Sequence, residues 1–195
     1  MQIALLAPLP PEQNGIADYA GHLKHALEDL GVRVRTPLQG VGNDPHAARQ
    51  RVAEADWQGI DLVHAEIGGG RLAEFHALRT LRERFPHLPL TATVHDPERL
   101  VWRREKLPWP LSLMASLRSP LPEAATVLAD PLCLHEERQL ARDMTRLITL
   151  TQAGNRSLQQ RMGLRQAQMA VIPHGNLPIA PLPLPPLQPL KLLYF

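Results

Sequence analysis

The stretch QIALLAPLPPEQNGIADYAGHLKHALEDLGVRVRT, residues 2–36, joins two strand patterns through a turn and a helix pattern. Residues 2–7 have the length and apolar content of a buried strand, and residues 32–36 form a second strand-like run. Between them a helix is predicted from 17 to 30, because apolar side chains recur at helical spacing and Gly31 follows as a stop. A strand–helix–strand unit of this kind predicts two parallel strands in one sheet.

The same alternation continues along the chain. Further strand-like runs, rich in Val, Ile and Thr, lie at residues 60–65, 90–95, 146–151 and 169–173. Helical patterns lie between them at residues 45–55, 71–85 and 155–162, with two proline-punctuated helical segments between 98 and 142. The sequence therefore predicts an α/β fold, a doubly wound, Rossmann-like parallel sheet with helices on both faces.

Composition limits the class of protein. The chain has 195 residues, enough for one domain of ordinary size, and its 44% hydrophobic residues can form a sizeable core. The formal net charge is +2 with basic and acidic residues interspersed, which does not indicate a nucleic-acid partner. The single Cys133 excludes an internal disulfide, no apolar run approaches the roughly 18 residues of a membrane span, and the N-terminus lacks a signal-peptide pattern. A soluble, cytoplasmic protein is expected.

The end of the chain changes in texture. Residues 177–190 are rich in proline and read as an extended linker, and residues 191–195, KLLYF, again resemble a strand. We therefore expect residues 1–176 to form one Rossmann-like domain, 177–190 an interdomain linker, and 191–195 the first strand of a truncated second domain. The alternative is a tail that folds back and adds an edge strand to the first domain.

Ligands of an open parallel sheet bind beyond the carboxyl ends of its strands. After the first strand, Asn14 and Gly15 form a turn before a helix, and the unpaired N–H groups of a helix N-terminus make an anion site. Asp18 in the first helical turn either caps the helix or holds a ligand hydroxyl. An ordinary capped turn is the alternative interpretation.

A glycine-rich loop follows the third strand. Gly68, Gly70 and Ala73 match G-x-G-x-x-A, and Asp96 ends the next strand about 23 residues later, near the spacing of a ribose-binding acid. This pattern supports an alternative function, a dinucleotide or sugar-phosphate binding domain. It is weakened because such a fingerprint normally follows the first strand of its unit.

Polar side chains also end the third and fourth strands. His64 and Glu66 end the third strand, and His95 and Asp96 end the fourth, so the four side chains are expected to converge at one edge of the sheet. His95 either hydrogen-bonds a sugar hydroxyl, acts as a base, or satisfies a backbone carbonyl. The spacing His64-x-Glu66 is too weak to predict a metal site.

Five motifs occur in a characteristic order: NGIADYAGHL (14–23), DLVHAEIGG (61–69), TVHDP (93–97), RLITLTQAGNRSL (146–158) and VIPHGN (171–176). Over nearly its whole length the chain resembles the N-terminal domain of a glycosyltransferase of the GT-B fold, family 4 type. The resemblance implies a first domain that binds mainly the acceptor and a second domain that binds the nucleotide-sugar donor. It also implies transfer with retention of anomeric configuration and no cofactor or metal.

The resemblance assigns roles to individual positions. Asn14, Gly15 and Ile16 match the loop that approaches the donor diphosphate, Asp18 and Tyr19 face the acceptor side, and His95 matches a histidine that contacts the transferred sugar. His95 is therefore the catalytic candidate. The remaining candidates for binding donor diphosphate or acceptor are Glu66, Gly68, Gly69, Asp96 and His174.

The resemblance also implies partners. The full-length protein would be a hexosyltransferase acting on a glycan, lipid or other hydroxyl acceptor, and this chain alone is expected to be inactive. Segment 98–130 carries Trp102, Trp109 and several basic residues, and in the family such an insert often meets the acceptor or a membrane surface. The alternative is a solvated basic helix whose tryptophans pack inward. A noncatalytic interaction module has only the proline-rich tail in its favour.

Overall fold

In the described part of the chain, six parallel strands form the sheet. The computed structural model describes residues 1–101, 113 and 134–175. The strands are β1 (Gln2–Leu6), β2 (Arg33–Arg35), β3 (Leu62–Ile67), β4 (Leu90–Val94), β5 (Arg146–Thr149) and β6 (Met169–Val171). Their order is β2-β1-β3-β4-β5-β6, and every neighbouring pair is parallel. The predicted doubly wound α/β fold is confirmed.

Helices connect the strands. They are α1 (Gly15–Asp29), α2 (Pro45–Glu54), α3 (Leu72–Arg84), α4 (134–143) and α5 (Gln152–Met162). Helix α1 begins two residues before the predicted start, because the side chain of Asn14 accepts a hydrogen bond from the Ala17 N–H and caps it there. Asp44 and Thr151 cap α2 and α5 in the same way.

The two faces of the sheet differ in chemistry. Val63, Ala65 and Ile67 of β3 belong to the main core, which also contains the buried residues of α2, α3 and α5. A second, smaller cluster joins Leu5 of β1 to Ala20 of α1 on the opposite face. Side chains alternate along a strand, so the intervening residues of β3 lie on the α1 side. Polar residues of β3 therefore collect beneath α1.

Helix α1 packs through small residues. The apolar spacing predicted a buried stripe ending at Leu30, but the side chain of Leu30 is 80% exposed, whereas Ala17 and Ala20 are fully buried. Alanines let the helix axis come close to the sheet. Leu23 and Leu27 are half-buried, whereas Leu30, just beyond the last helical residue, lies at the surface. This part of the helix prediction was wrong.

Several predictions concern other parts of the chain. The linker at 177–190 and the strand at 191–195 lie outside the described residues, as does most of segment 98–130. Among the described helices, none combines the length and apolar character needed to cross a membrane.

Candidate functional site

An open cavity of about 610 Å³ lies at the carboxyl edge of the sheet. Its lining residues come from the loops after five strands: Asn14, Gly15, Ile16, Asn43, Gly69, Arg71, His95 and His174. The chain runs from β1 to one side of the sheet and from β3 to the other, so the order changes direction between these neighbouring strands. Open α/β sheets bind ligands at such a switch point. The cavity is therefore the leading candidate for a binding site.

The N-terminus of α1 supplies free backbone donors to this cavity. The side-chain oxygen of Asn14 accepts a hydrogen bond from the Ala17 N–H at 2.8 Å, and the backbone carbonyl of Asn14 accepts one from the Asp18 N–H at 3.2 Å. The N–H groups of Gly15 and Ile16 have no hydrogen-bond acceptor among the described residues, as expected for a first helical turn. A side-chain carbon added at Gly15 would meet nothing within 4 Å. A ligand can therefore approach this backbone closely.

A buried carboxylate lies below the cavity. Glu66 is fully buried and receives a hydrogen bond at each oxygen, from His64 Nε2 at 3.0 Å and from His95 Nε2 at 2.8 Å. Burial alone would raise the pKa of Glu66, but the hydrogen bonds that His64 and His95 donate to it lower the pKa below its ordinary value of 4.5. Glu66 therefore remains charged. It does not itself line the cavity, but it is hydrogen-bonded to His95, which does.

The two histidines that line the cavity pack against the ring of Tyr19. The Tyr19 ring meets His95 edge-on at 5.2 Å between centroids, and it meets His174 edge-on at 5.1 Å. Burial, and then the negative charge of Glu66, raise the pKa of the Tyr19 hydroxyl, which keeps it protonated. Residues from the loop after β4, from α1 and from the segment after β6 thus pack together.

Several backbone N–H groups of the glycine loop after β3 already donate hydrogen bonds within the protein. The Gly69 N–H donates to the Asp96 carboxylate, and the Arg71 N–H donates to the Gly68 carbonyl. Two further N–H groups, at Leu72 and the following alanine, donate to the side-chain oxygen of Asn43 at 2.7 and 3.1 Å. These donors and one oxygen of the Asp96 carboxylate are already occupied. The loop therefore offers little of what a phosphate or a ribose would need.

Among the residues that the structure describes, Arg71 is the only arginine that lines the cavity. Its guanidinium contacts both oxygens of Glu74, with distances of 3.0 Å from Nε and 2.6 Å from Nη2, and Glu12 lies 3.1 Å from Nη1. Burial opposes its charge, yet the two carboxylates raise the pKa of Arg71 above its ordinary value. Glu74 is buried while the side chain of Glu12 is 31% exposed, so the outer carboxylate is the one a ligand anion could replace.

The structure brings together most of the residues predicted from the sequence. Asn14, Gly15, Ile16, Gly69, His95 and His174 line the cavity, and Tyr19, Glu66, Gly68 and Asp96 contact those residues. Asp18 is exposed and does not line the cavity, and the cap of α1 is Asn14 rather than Asp18. In the part of the chain that the structure describes, no group of three or more His, Cys, Asp or Glu side chains is arranged so that it could hold a metal ion.

Sequence reasoning missed two lining residues, Asn43 and Arg71. Asn43 follows β2, so the rule that ligands bind at the carboxyl ends of strands was the available signal for it. Arg71 directly follows the three glycines, so its place in the loop after β3 was the available signal for it.

Comparisons with known proteins do not assign a family. No protein-family model matches this chain, and no curated protein sequence matches it. One similar solved structure is an ABC transporter system solute-binding protein from Conexibacter woesei DSM 14684. It has a TM-score of 0.37 and 14% identity, and the match covers 88% of this chain and 69% of that chain. Similarity at this level carries no argument about function, which must be argued from the site itself.

Proposed function

We propose that this chain is the acceptor-binding domain of a retaining glycosyltransferase that moves a sugar from a nucleotide-sugar donor to a hydroxyl acceptor. One observation carries the proposal. The free N–H groups at Gly15, the ring of His95 and the ring of His174 line a single cavity at the switch point of the sheet. These residues belong to three of the motifs on which the resemblance to GT-B enzymes rests, although they lie far apart in sequence.

The N-terminus of α1 suits the donor diphosphate. Free N–H groups and the positive end of a helix dipole stabilise negative charge, and Gly15 has no side chain to keep a phosphate away. In sugar transfer the bond from the anomeric carbon to the diphosphate breaks, and a bond to the acceptor oxygen forms. The acceptor proton passes to the diphosphate, whose growing charge the backbone donors stabilise.

His95 and its neighbours suit the sugar and the acceptor. His95 lies on the cavity wall, where one ring nitrogen is bound to Glu66 and the other is left for a ligand. The ring of His174 also lines the cavity and packs edge-on against Tyr19, and it gives an aromatic surface of the kind against which sugar rings pack. Arg71 adds a cation at the edge of the same cavity.

The dinucleotide-binding alternative gains no support from the glycine loop. The Gly69 N–H and the Asp96 carboxylate are bonded to each other, whereas a dinucleotide needs the first for phosphate and the second for ribose.

The proposal is tested by amide NMR titration of the 195-residue chain with nucleoside diphosphate sugars, with inorganic pyrophosphate and, separately, with NAD⁺. Each ligand is used at high concentration, because the proposal gives most of the donor contacts to a second domain and leaves only the diphosphate contact at α1 to this chain. Diphosphate-containing sugars and pyrophosphate should shift the amide signals of Gly15 and Ile16, and the sugars should also shift His95. Shifts confined to residues 68–70 with NAD⁺, and none at Gly15 with any nucleotide sugar, would support the dinucleotide alternative and contradict the proposal.

A further inference from the structure

We infer that Glu66 and His64 act as positioning residues that fix His95 as a hydrogen-bond acceptor toward the cavity, so that this point of the site selects a ligand hydroxyl over a phosphate oxygen. The identity of that hydroxyl, on a sugar or an acceptor, rests on the proposed function. The protonation pattern of His95 does not, because it follows from contacts within the protein.

His95 Nε2 acts as a hydrogen-bond donor to Glu66. Glu66 is 0% exposed, and an ionised carboxylate in such a place needs hydrogen-bond donors. A carboxylate can only accept, so the atoms that contact it must carry the protons. His64 Nε2 lies 3.0 Å from one oxygen and His95 Nε2 lies 2.8 Å from the other. Both histidines are therefore protonated on Nε2.

Hydrogen bonds at both ring nitrogens hold His64 in place. Its Nδ1 lies 2.8 Å from the Thr91 hydroxyl, and its Nε2 is also 3.1 Å from the Thr93 hydroxyl. The Thr91 hydroxyl oxygen lies farther, at 3.3 Å, from the Val63 carbonyl, so the bond to His64 is the shorter of its two contacts. With both ring nitrogens bonded, His64 occupies one oxygen of Glu66 in a fixed geometry. Only the other oxygen remains for His95.

The other ring nitrogen of His95, Nδ1, is available to a ligand. A neutral imidazole that carries its proton on Nε2 has a lone pair on Nδ1 and accepts a hydrogen bond there. Nδ1 of His95 has no hydrogen-bond partner among the described residues, and His95 lines the cavity. A hydroxyl can donate to this nitrogen, whereas a fully ionised phosphate oxygen has no proton to donate. A diphosphate would therefore bind the N–H groups of Gly15 and Ile16 rather than this nitrogen.

The protonation pattern is tested on the ligand-free protein by ¹⁵N NMR of the imidazole nitrogens. The wild-type chain should show His64 and His95 protonated on Nε2. In Glu66→Gln the side-chain amide has one oxygen that accepts and one nitrogen that donates, so one histidine must accept at Nε2 and move its proton to Nδ1. Glu12→Gln is the matched control, because Glu12 contacts Arg71 and no histidine, and it should leave both patterns unchanged.

Either of two results would overturn the positioning role: His95 protonated on Nδ1 in the wild-type chain, or an unchanged pattern for both histidines in Glu66→Gln. The wild-type measurement decides the question even if the variant does not fold.

Selectivity is tested with a nucleoside diphosphate and the corresponding nucleoside diphosphate sugar as probes. If His95 Nδ1 accepts from a sugar hydroxyl, and if NMR shows that His95 is the histidine whose proton moves in Glu66→Gln, this variant should bind the sugar-containing probe roughly two- to tenfold more weakly, the range for one neutral hydrogen bond. Its affinity for the nucleoside diphosphate should be unchanged. An equal loss for both probes would overturn the selectivity. Absence of binding by either probe to the wild-type chain would instead count against the proposed function, while the NMR result would stand.

Discussion

Gly15 and Gly68 lie at the same edge of the sheet but in different surroundings, which predicts opposite effects of replacement by alanine. Neither glycine has a positive φ, so only the space around each decides the outcome. At Gly68 a new side-chain carbon would lie 3.0 Å from His95 Cβ and 3.2 Å from a methyl of Ile16. Gly68→Ala should lower the free energy of unfolding by about 1–3 kcal/mol, the cost of overpacking, measured by urea denaturation.

At Gly15 the same change meets empty space. Gly15→Ala should leave the free energy of unfolding within about 0.5 kcal/mol of the wild-type value, because nothing lies within 4 Å of the added carbon. It should nevertheless weaken binding of nucleoside diphosphate sugars, since the methyl group occupies the space through which a phosphate reaches the backbone. Calorimetric titration of both variants separates these effects. Undiminished binding by Gly15→Ala would show that the ligand does not approach this turn.

Helix α3 is capped by a residue distant in sequence. Arg71 is at the N-cap position but makes no side-chain capping bond. Instead, the side-chain oxygen of Asn43 accepts hydrogen bonds from the first two helical N–H groups. The side-chain amide nitrogen of Asn43 donates to the Gly70 carbonyl at 2.8 Å. Asn43→Ala should therefore lower the free energy of unfolding by about 1–2 kcal/mol. Asn43→Asp keeps the acceptor and should lose less. Equal losses in denaturant titrations would show that capping is not what Asn43 contributes.

The elements were predictable to the extent that their signals are local. The apolar runs of β1, β4 and β6 and the stop at Gly31 identify themselves within a few residues, so the order of strands and helices could be read from sequence. Strand β3 was predicted two residues early, at 60–65 instead of Leu62–Ile67, because Glu66 interrupts the apolar run. The strand continues through this carboxylate because two histidines compensate its burial.

At the scale of the molecule, the sequence predicted which loops meet but not how their side chains pair. The rule that strands end at one edge brought His64, Glu66, His95 and Asp96 together in advance. That Glu66 is buried under His95 depends on the register of β3 against β4, in which Glu66 lies opposite Thr93, and no local pattern specifies that register. The cap from Asn43 to α3 likewise joins loops that only the folded sheet makes adjacent.

Burial of Glu66 links the stability of the whole domain to pH. Its pKa in the folded protein lies below the ordinary value of 4.5, because the bonds from His64 and His95 outweigh desolvation. Between the folded and unfolded pKa values, the unfolded chain binds a proton that the folded chain does not, so stability rises with pH there. This contribution is fully present above the unfolded pKa and is lost as pH falls through the folded pKa.

Urea unfolding at a series of pH values from about 3 to about 7 tests this linkage. The free energy of unfolding of Glu66→Gln should rise less steeply than that of the wild-type chain below the ordinary glutamate pKa, because the titrating group is gone. Glu28→Gln, which removes a surface ion pair with Lys24, is the control and should follow the wild-type slope closely. Parallel curves for wild type and Glu66→Gln across this range would mean that Glu66 binds protons equally in the folded and unfolded chains, and that the two histidines do not stabilise its charge.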